Sequence, residues 1–266
     1  MQRRRGLLPD DPSFDISDEA DVRALLRAES AHFWHRSRNR VILSRLRSIG
    51  VVPGSTFLEL GCGAGCVAKA LSDAGYRVTG IDGHGALLEV AARRAPSANF
   101  KCHDLRDGTA ELSLEPFDAA GLFDVIEHLE DPRAALTDAV GRVRPSGHVV
   151  GTVPALMSLW SSIDEHSGHV TRYAVPTLRS LLSAVGGARI VETRPFFRTL
   201  VPLMWLERRW VSRKPGGEAA VRNLTVPWRP LNEALYAMTR MESWLSPLLD
   251  KVPIAGASIW FALQKL

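Results

Sequence analysis

The chain has 266 residues, of which 45% are hydrophobic and 23% charged, the proportions of a globular protein long enough to bury a full core. Lys and Arg number 33 against 29 Asp and Glu, a net charge of +4, with a pI near 9.2. The excess is small and no nucleic-acid-binding signature accompanies it, and no stretch reaches the ~20 apolar residues of a membrane span.

The three cysteines, Cys62, Cys66 and Cys102, show no framework spacing and point to reduced thiols and a cytoplasmic location. Residues 1–17 begin with a basic run, continue through Pro9-Asp10-Asp11-Pro12 and read as a mobile tail rather than a secretory signal. Residues 18–50 read as two helices. Asp18 is a candidate cap, and Leu25, Leu26, Phe33, Val41, Ile42 and Leu46 form the apolar faces.

Phe57-Leu58-Glu59-Leu60 then reads as a buried strand that runs into Gly61-Cys62-Gly63-Ala64-Gly65 and a helix from Cys66. Strand, glycine turn and helix N-terminus together build a nucleotide-type crevice. The spacing Gly-x-Gly-x-Gly differs from the Gly-x-Gly-x-x-Gly that seats a pyrophosphate. Glu59 beside the loop repels a pyrophosphate and attracts a cation, which favours S-adenosylmethionine with its ammonium and sulfonium.

A second strand, 77–82, ends in Asp82, about 20 residues past Gly61, where a carboxylate reaches ribose hydroxyls. A third, 99–104, ends in Asp104, placed for an adenine. A fourth runs over 117–124, and Arg144-Pro145-Ser146-Gly147 reads as a turn before a fifth at 148–153. Strands ending in polar residues with helices between them describe one open, mostly parallel α/β sheet with ligands at the C-terminal strand edges.

Over roughly residues 56–191 these motifs resemble the class I S-adenosylmethionine-dependent methyltransferases. Phe123-Asp124-Val125-Ile126-Glu127-His128-Leu129 and Arg144-Pro145-Ser146-Gly147 are similar to the ubiquinone-biosynthesis O-methyltransferase group. His32-Phe33-Trp34, Arg38-Asn39-Arg40, Val153-Pro154-Ala155, Trp160, Asp164, His169 and Arg172-Tyr173 look like a bacterial subfamily often encoded among sugar and natural-product pathways. The resemblance implies a doubly wound, Rossmann-like sheet of seven strands in the order 3-2-1-4-5-7-6, with the 18–50 helices over the cofactor cleft.

It also implies site roles. Glu59, Gly61, Cys62, Gly63, Gly65, Asp82, Gly83, Asp104, Leu105 and Phe123 are expected around the cofactor, with Arg38 (or Arg40) on its carboxylate. His128 and His169 are candidate bases with Glu127 beside them. Trp160, Asp164, His166, Arg172 and Tyr173 are expected on an acceptor-facing wall too polar and irregular for core. Asp124, Glu127 and His128, at i, i+3 and i+4, form a candidate set for a divalent metal, secondary to a metal-free reading.

The final two strands, 189–196 and 257–265, are separated by about 60 residues, too many for a hairpin loop. The methyltransferase domain is thus expected over 51–266, with a helical insert at about 197–256. The insert carries Trp205, Trp210, Trp228 and Trp244 with Arg198, Arg208, Arg209, Arg213, Lys214, Arg222 and Arg229, and Pro215-Gly216-Gly217 reads as an exposed loop. The leading reading is a helical cap over the acceptor with a solvated basic face. Peripheral membrane contact and a homodimer interface are the others. The expected reaction is O-methylation of a small molecule such as a sugar or natural product. N- or C-methylation and a repurposed, non-methylating member stand as alternatives.

Overall fold

The computed structural model describes residues 19–211, 225–252 and 254–266. The expected tail at 1–17, the Asp18 cap and the Pro215-Gly216-Gly217 loop lie outside the described residues, as do the side chains of His166 and Trp210.

Two helices, α1 (Glu19–Ala31) and α2 (Phe33–Ser48), precede the alternating core: β1 (Thr56–Leu60), α3 (Cys66–Asp73), β2 (Arg77–Asp82), α4 (Gly85–Arg94), β3 (Asn99–Cys102), β4 (Phe117–Phe123), α5 (Pro132–Arg142) and β5 (Val143–Pro154). Then follow α6 (Ser162–His166), α7 (Val175–Ser183), β6 (Ala188–Phe196), α8 (Val201–Val211), α9 (Arg229–Leu249) and β7 (Ser258–Lys265). The sheet order is β3-β2-β1-β4-β5-β7-β6, as expected from the resemblance. β7 alone runs against its neighbours, antiparallel to both β5 and β6.

Both faces of the sheet are covered, so strand residues alternate between two cores rather than between core and water. Leu58, Leu122, Val149, Ile259 and Phe261 join one core beneath α5 and α7. Phe57, Val150, Trp260 and Ala262 join the other, beneath α2 and α3. The 144–147 segment is a correction to the sequence reading. It lies within β5 as a bulge, because register with β4 passes from Phe117↔Val143 to Ala119↔His148 and Ser146 takes φ 62°.

The long connection between β6 and β7 contributes α8 and α9. α9 lies along α2, with Asn232 donating to Ala31 O and accepting from Phe33 N, and Thr239 sharing a 2.6 Å hydrogen bond with Ser37. The expected solvated basic face is also corrected. Arg198 and Arg208 are buried, Arg198 paired with Asp250 at 2.7 Å and Arg208 with Asp164, because a buried guanidinium must find a carboxylate.

Candidate active site

The glycine turn at the end of β1 is held from below by Asp82, the last residue of β2. Its Oδ2 accepts from Gly63 N at 2.8 Å, and its Oδ1 accepts from His84 N at 3.0 Å. The three glycines do different jobs. A Cβ at Gly61 would meet Val125 Cγ2 at 2.6 Å, and one at Gly65 would meet Ala91 Cβ at 2.9 Å, so both are required by packing. Gly63, at φ 50°, faces open space, with no atom within 4 Å of where its Cβ would sit. Of the three, Gly63 is the one that lets a ligand approach the backbone.

Above the loop lies α2. Arg38 forms an ion pair with Asp124 at 2.5 Å, and its Nε is buried without a partner. Arg40 is exposed, over the ring of Tyr236 on α9, which rules it out for this crevice. Asn39 donates to Cys66 O, and Glu29 of α1 pairs with Arg94 of α4. The N-terminal helices are thereby fastened to the turn and to the helix that follows it.

Glu59 is 2% exposed and its Oε2 has no partner. Burial, with Asp82 and Glu29 nearby, raises its carboxyl pKa to about 8 against the pull of Arg38. A buried acid with one unpartnered oxygen, an unpartnered guanidinium NH and an open glycine suit a small zwitterion with an extra cation. S-adenosylmethionine fits that description: Glu59 and the loop would hold its positive groups, Arg38 its carboxylate, and Asp82 and Gly83 the ribose.

Asp104, two residues past β3, accepts from Arg106 through backbone and guanidinium. Those bonds hold its pKa down at about 2. It also caps the 3-10 turn 105–107, which begins at Leu105. Cys62 is buried, its Sγ in the space that a Cβ at Gly80 would need. Phe123 corrects an expectation, since its ring stacks on Phe57 at 6.2 Å in the core.

Past β4 the chain turns sharply. Asp124 takes φ 56° and accepts from Thr152 Oγ1 at 3.1 Å as well as from Arg38. Glu127 is fully buried with both oxygens unpartnered, and burial holds its pKa well above the ordinary value. His128 packs edge-on against His169, ring centroids 4.8 Å apart, and burial together with the His169 charge lowers its pKa to about 4.

The segment after β5 supplies His169. Asp164 Oδ1 lies 2.9 Å from His169 Nδ1 and accepts from Arg172 Nε at 2.7 Å, while Arg208 of α8 reaches its Oδ2. Burial opposes the charge on Asp164, yet the hydrogen bonds from His169 and Arg172 hold its pKa below the ordinary carboxylate range. An ionised carboxylate only accepts, so His169 Nδ1 donates and Nε2 carries the lone pair in the neutral ring.

Several expectations for this wall are corrected. Asp164, Arg172 and Tyr173 are buried, because their polar atoms satisfy one another and nearby backbone: Arg172 donates to Ala155 O and Tyr173 to Ile126 O. Asp164, itself held by Arg172, supports His169, and Tyr173 is tied to the turn after β4, so the three do not form an exposed acceptor-facing surface. Trp160 donates to Glu165 at 3.3 Å. The candidate metal set changes too. Glu127, His128 and His169 bring ligand atoms within 4.8 Å of one another, while Asp124 is committed to Arg38 and Thr152.

Sequence reading missed Asn39 and His35. His35 Nδ1 and Asn39 Oδ1 are buried without partners, and residues 35, 38 and 39 share one face of α2 at i, i+3 and i+4. That spacing was the available signal.

Fold and site together define an α/β protein with a crevice at the C-terminal ends of its strands, lined by Glu59, the glycine turn and Asp82. Residues 31–190 match the family model of a methyltransferase domain. The chain belongs to that family, the class I S-adenosylmethionine-dependent methyltransferases. It is 35% identical over 105 residues to a ubiquinone biosynthesis O-methyltransferase of Alkalilimnicola ehrlichii, covering 38% of this chain and 42% of that one. It is 33% identical over 101 residues to the like-named protein of Maricaulis maris, covering 36% and 39%. The chain thus spans about two fifths of the length of these curated relatives. Among solved structures, Haemonchus contortus phosphoethanolamine N-methyltransferase 2, in complex with S-adenosyl-L-methionine, superposes with TM-score 0.57 at 18% identity, over 96% of this chain and 58% of that one. The cyclase SpnF superposes with TM-score 0.55 at 19% identity, over 87% and 82%. At these identities the likeness is one of fold.

Proposed function

We propose that this protein methylates an oxygen of a small-molecule acceptor, with His169 as the general base. The observation that carries the proposal is the 2.9 Å contact of Asp164 with His169 Nδ1, which leaves Nε2 as the basic atom beside His128, just past the end of β4. When bound, S-adenosylmethionine supplies a methyl group on a sulfonium, a leaving group that needs no proton. The chain's own residues then orient the cofactor, exclude water and take the acceptor proton. His169 accepts that proton at Nε2, and the buried Asp164 carboxylate stabilises the resulting imidazolium. His128, kept neutral by burial, adds no opposing charge.

The names of the curated relatives support an oxygen acceptor. Hydroxyls of phenols, sugars or related natural products suit a histidine base. In this reading α1 and α2 cover the cofactor and α8 closes the acceptor side through Arg208. A second reading rests on the two unpartnered oxygens of Glu127 beside His128 and His169. A divalent metal there would polarise the acceptor oxygen, with Asp164 orienting His169 from behind.

The test is S-adenosylhomocysteine formation across a panel of phenols and sugars, run with and without exhaustive chelation. His169→Asn is expected to lower turnover by about a hundredfold or more while calorimetry shows unchanged cofactor affinity. Retained turnover in that variant would remove His169 from the reaction. Full activity after chelation removes the metal reading.

A further inference from the structure

The second insert helix, α9, packs one side into the molecule and leaves an apolar stripe uncovered on the other. The buried side of α9 is mixed: Leu235, Tyr236 and Met238 pack against the core beneath α2 and α3. Asn232, Thr239 and Glu242 are all buried there, and Glu242 accepts from Arg198 N and Thr199 N at 2.9 Å each. The opposite face is apolar. Met241, Trp244 and Leu248, at i, i+3 and i+7, share that side and are 56%, 79% and 62% exposed. Soluble helices bury the apolar stripe and expose the polar one. Here the buried polar groups are satisfied inside, and among the described residues the stripe of Met241, Trp244 and Leu248 has no cover.

Charge surrounds this face. A groove of about 960 Å³ runs between α2 and α9, and Arg40, Arg47 and Arg240 line it beside Leu43, Met241 and Trp244. It contains none of the residues of the glycine turn or of the Asp164–His169 pair. On α8, Leu203, Trp205 and Leu206 are likewise exposed, with Arg209 stacked 4.5 Å from the Trp205 ring. Exposed apolar and tryptophan side chains bordered by arginines are the composition of a helix lying in a lipid interface.

We infer that α9 docks on the surface of an anionic bilayer, its apolar face at the acyl boundary and the groove arginines on phosphate headgroups. A second copy of the chain fits less well. A two-fold contact would set the same arginine-rimmed patch against itself, and like charges there would repel. The inference does not depend on the identity of the acceptor.

The test uses the full chain with phosphatidylcholine vesicles, alone or mixed with phosphatidylglycerol, read by co-sedimentation. Binding to the anionic vesicles is expected to exceed that to the neutral ones by about tenfold or more, and to fall as salt rises. Met241→Ser with Trp244→Ser should abolish it without lowering Tm, since both side chains are exposed. Arg47→Gln with Arg240→Gln should erase the preference for anionic lipid. Absence of vesicle binding, or binding unchanged in the apolar variant, overturns the proposal. So does a dimer in light scattering that the apolar variant converts to monomer.

Discussion

Glu59 holds an unpaired oxygen inside the molecule, and its titration has a definite consequence. Its carboxyl is raised to about 8, whereas in the unfolded chain it returns to an ordinary glutamate value. Between those values the native state holds a proton that the unfolded state has released. Stability from this group is therefore complete below the ordinary value and is lost as pH rises through about 8. Urea unfolding at ~pH 5 and ~pH 8.5 should show a decline that Glu59→Gln flattens, while the same variant weakens S-adenosylmethionine binding. A decline of equal size in Glu59→Gln would place its origin elsewhere. This residue was legible in the sequence because an acid two positions before a glycine turn has a charge argument attached to it. For His35 and Asn39 only the helical spacing was legible, since the burial of their unpartnered atoms depends on the elements packed over α2.

At the scale of elements, α8 is tied to the chemistry by one side chain. Arg208 donates to Leu159 O, Ser161 Oγ and Asp164 Oδ2, and Asp164 holds His169. Arg208→Met should cost about 2 kcal/mol of stability, as expected for lost hydrogen bonds to a charged group. It should also reduce turnover with cofactor affinity intact, because the ring of His169 loses part of its support. Calorimetry and initial rates on the same preparation separate these effects. If turnover is unchanged at a temperature where the variant is folded, α8 plays no part in positioning. A sequence window shows Arg208 as one arginine among many in a basic helix. Burial by a segment over 40 residues away singles it out. The bulge in β5 was misread for a similar reason, since Pro-Ser-Gly marks a chain reversal locally and only pairing with β4 keeps it in the sheet.

At the scale of the whole molecule, the crevice is assembled from α1, α2, the ends of β1, β2 and β4, and the segment after β5. A ligand that joins these elements stabilises the native state only. At a hundred times its Kd, S-adenosylmethionine or S-adenosylhomocysteine should add about 2.7 kcal/mol, several degrees in Tm for a chain of this size. NAD should add nothing. Equal shifts from NAD and S-adenosylmethionine would mean that Glu59 does not select for a cation.

The sequence by itself determined the sheet and the glycine turn and acids at its strand ends. Continuous apolar strands, a glycine turn and terminal acids are local signals, each set by backbone geometry within a few residues. It also brought His128 and His169 forward as candidates. Only the tertiary structure decided that Asp164, Arg172 and Tyr173 are buried, that Asp124 belongs to Arg38, and that α9 buries Asn232, Thr239 and Glu242 while leaving Met241, Trp244 and Leu248 exposed. These outcomes depend on which charges meet across distant segments. A buried charge must find its partner wherever the fold brings one within reach.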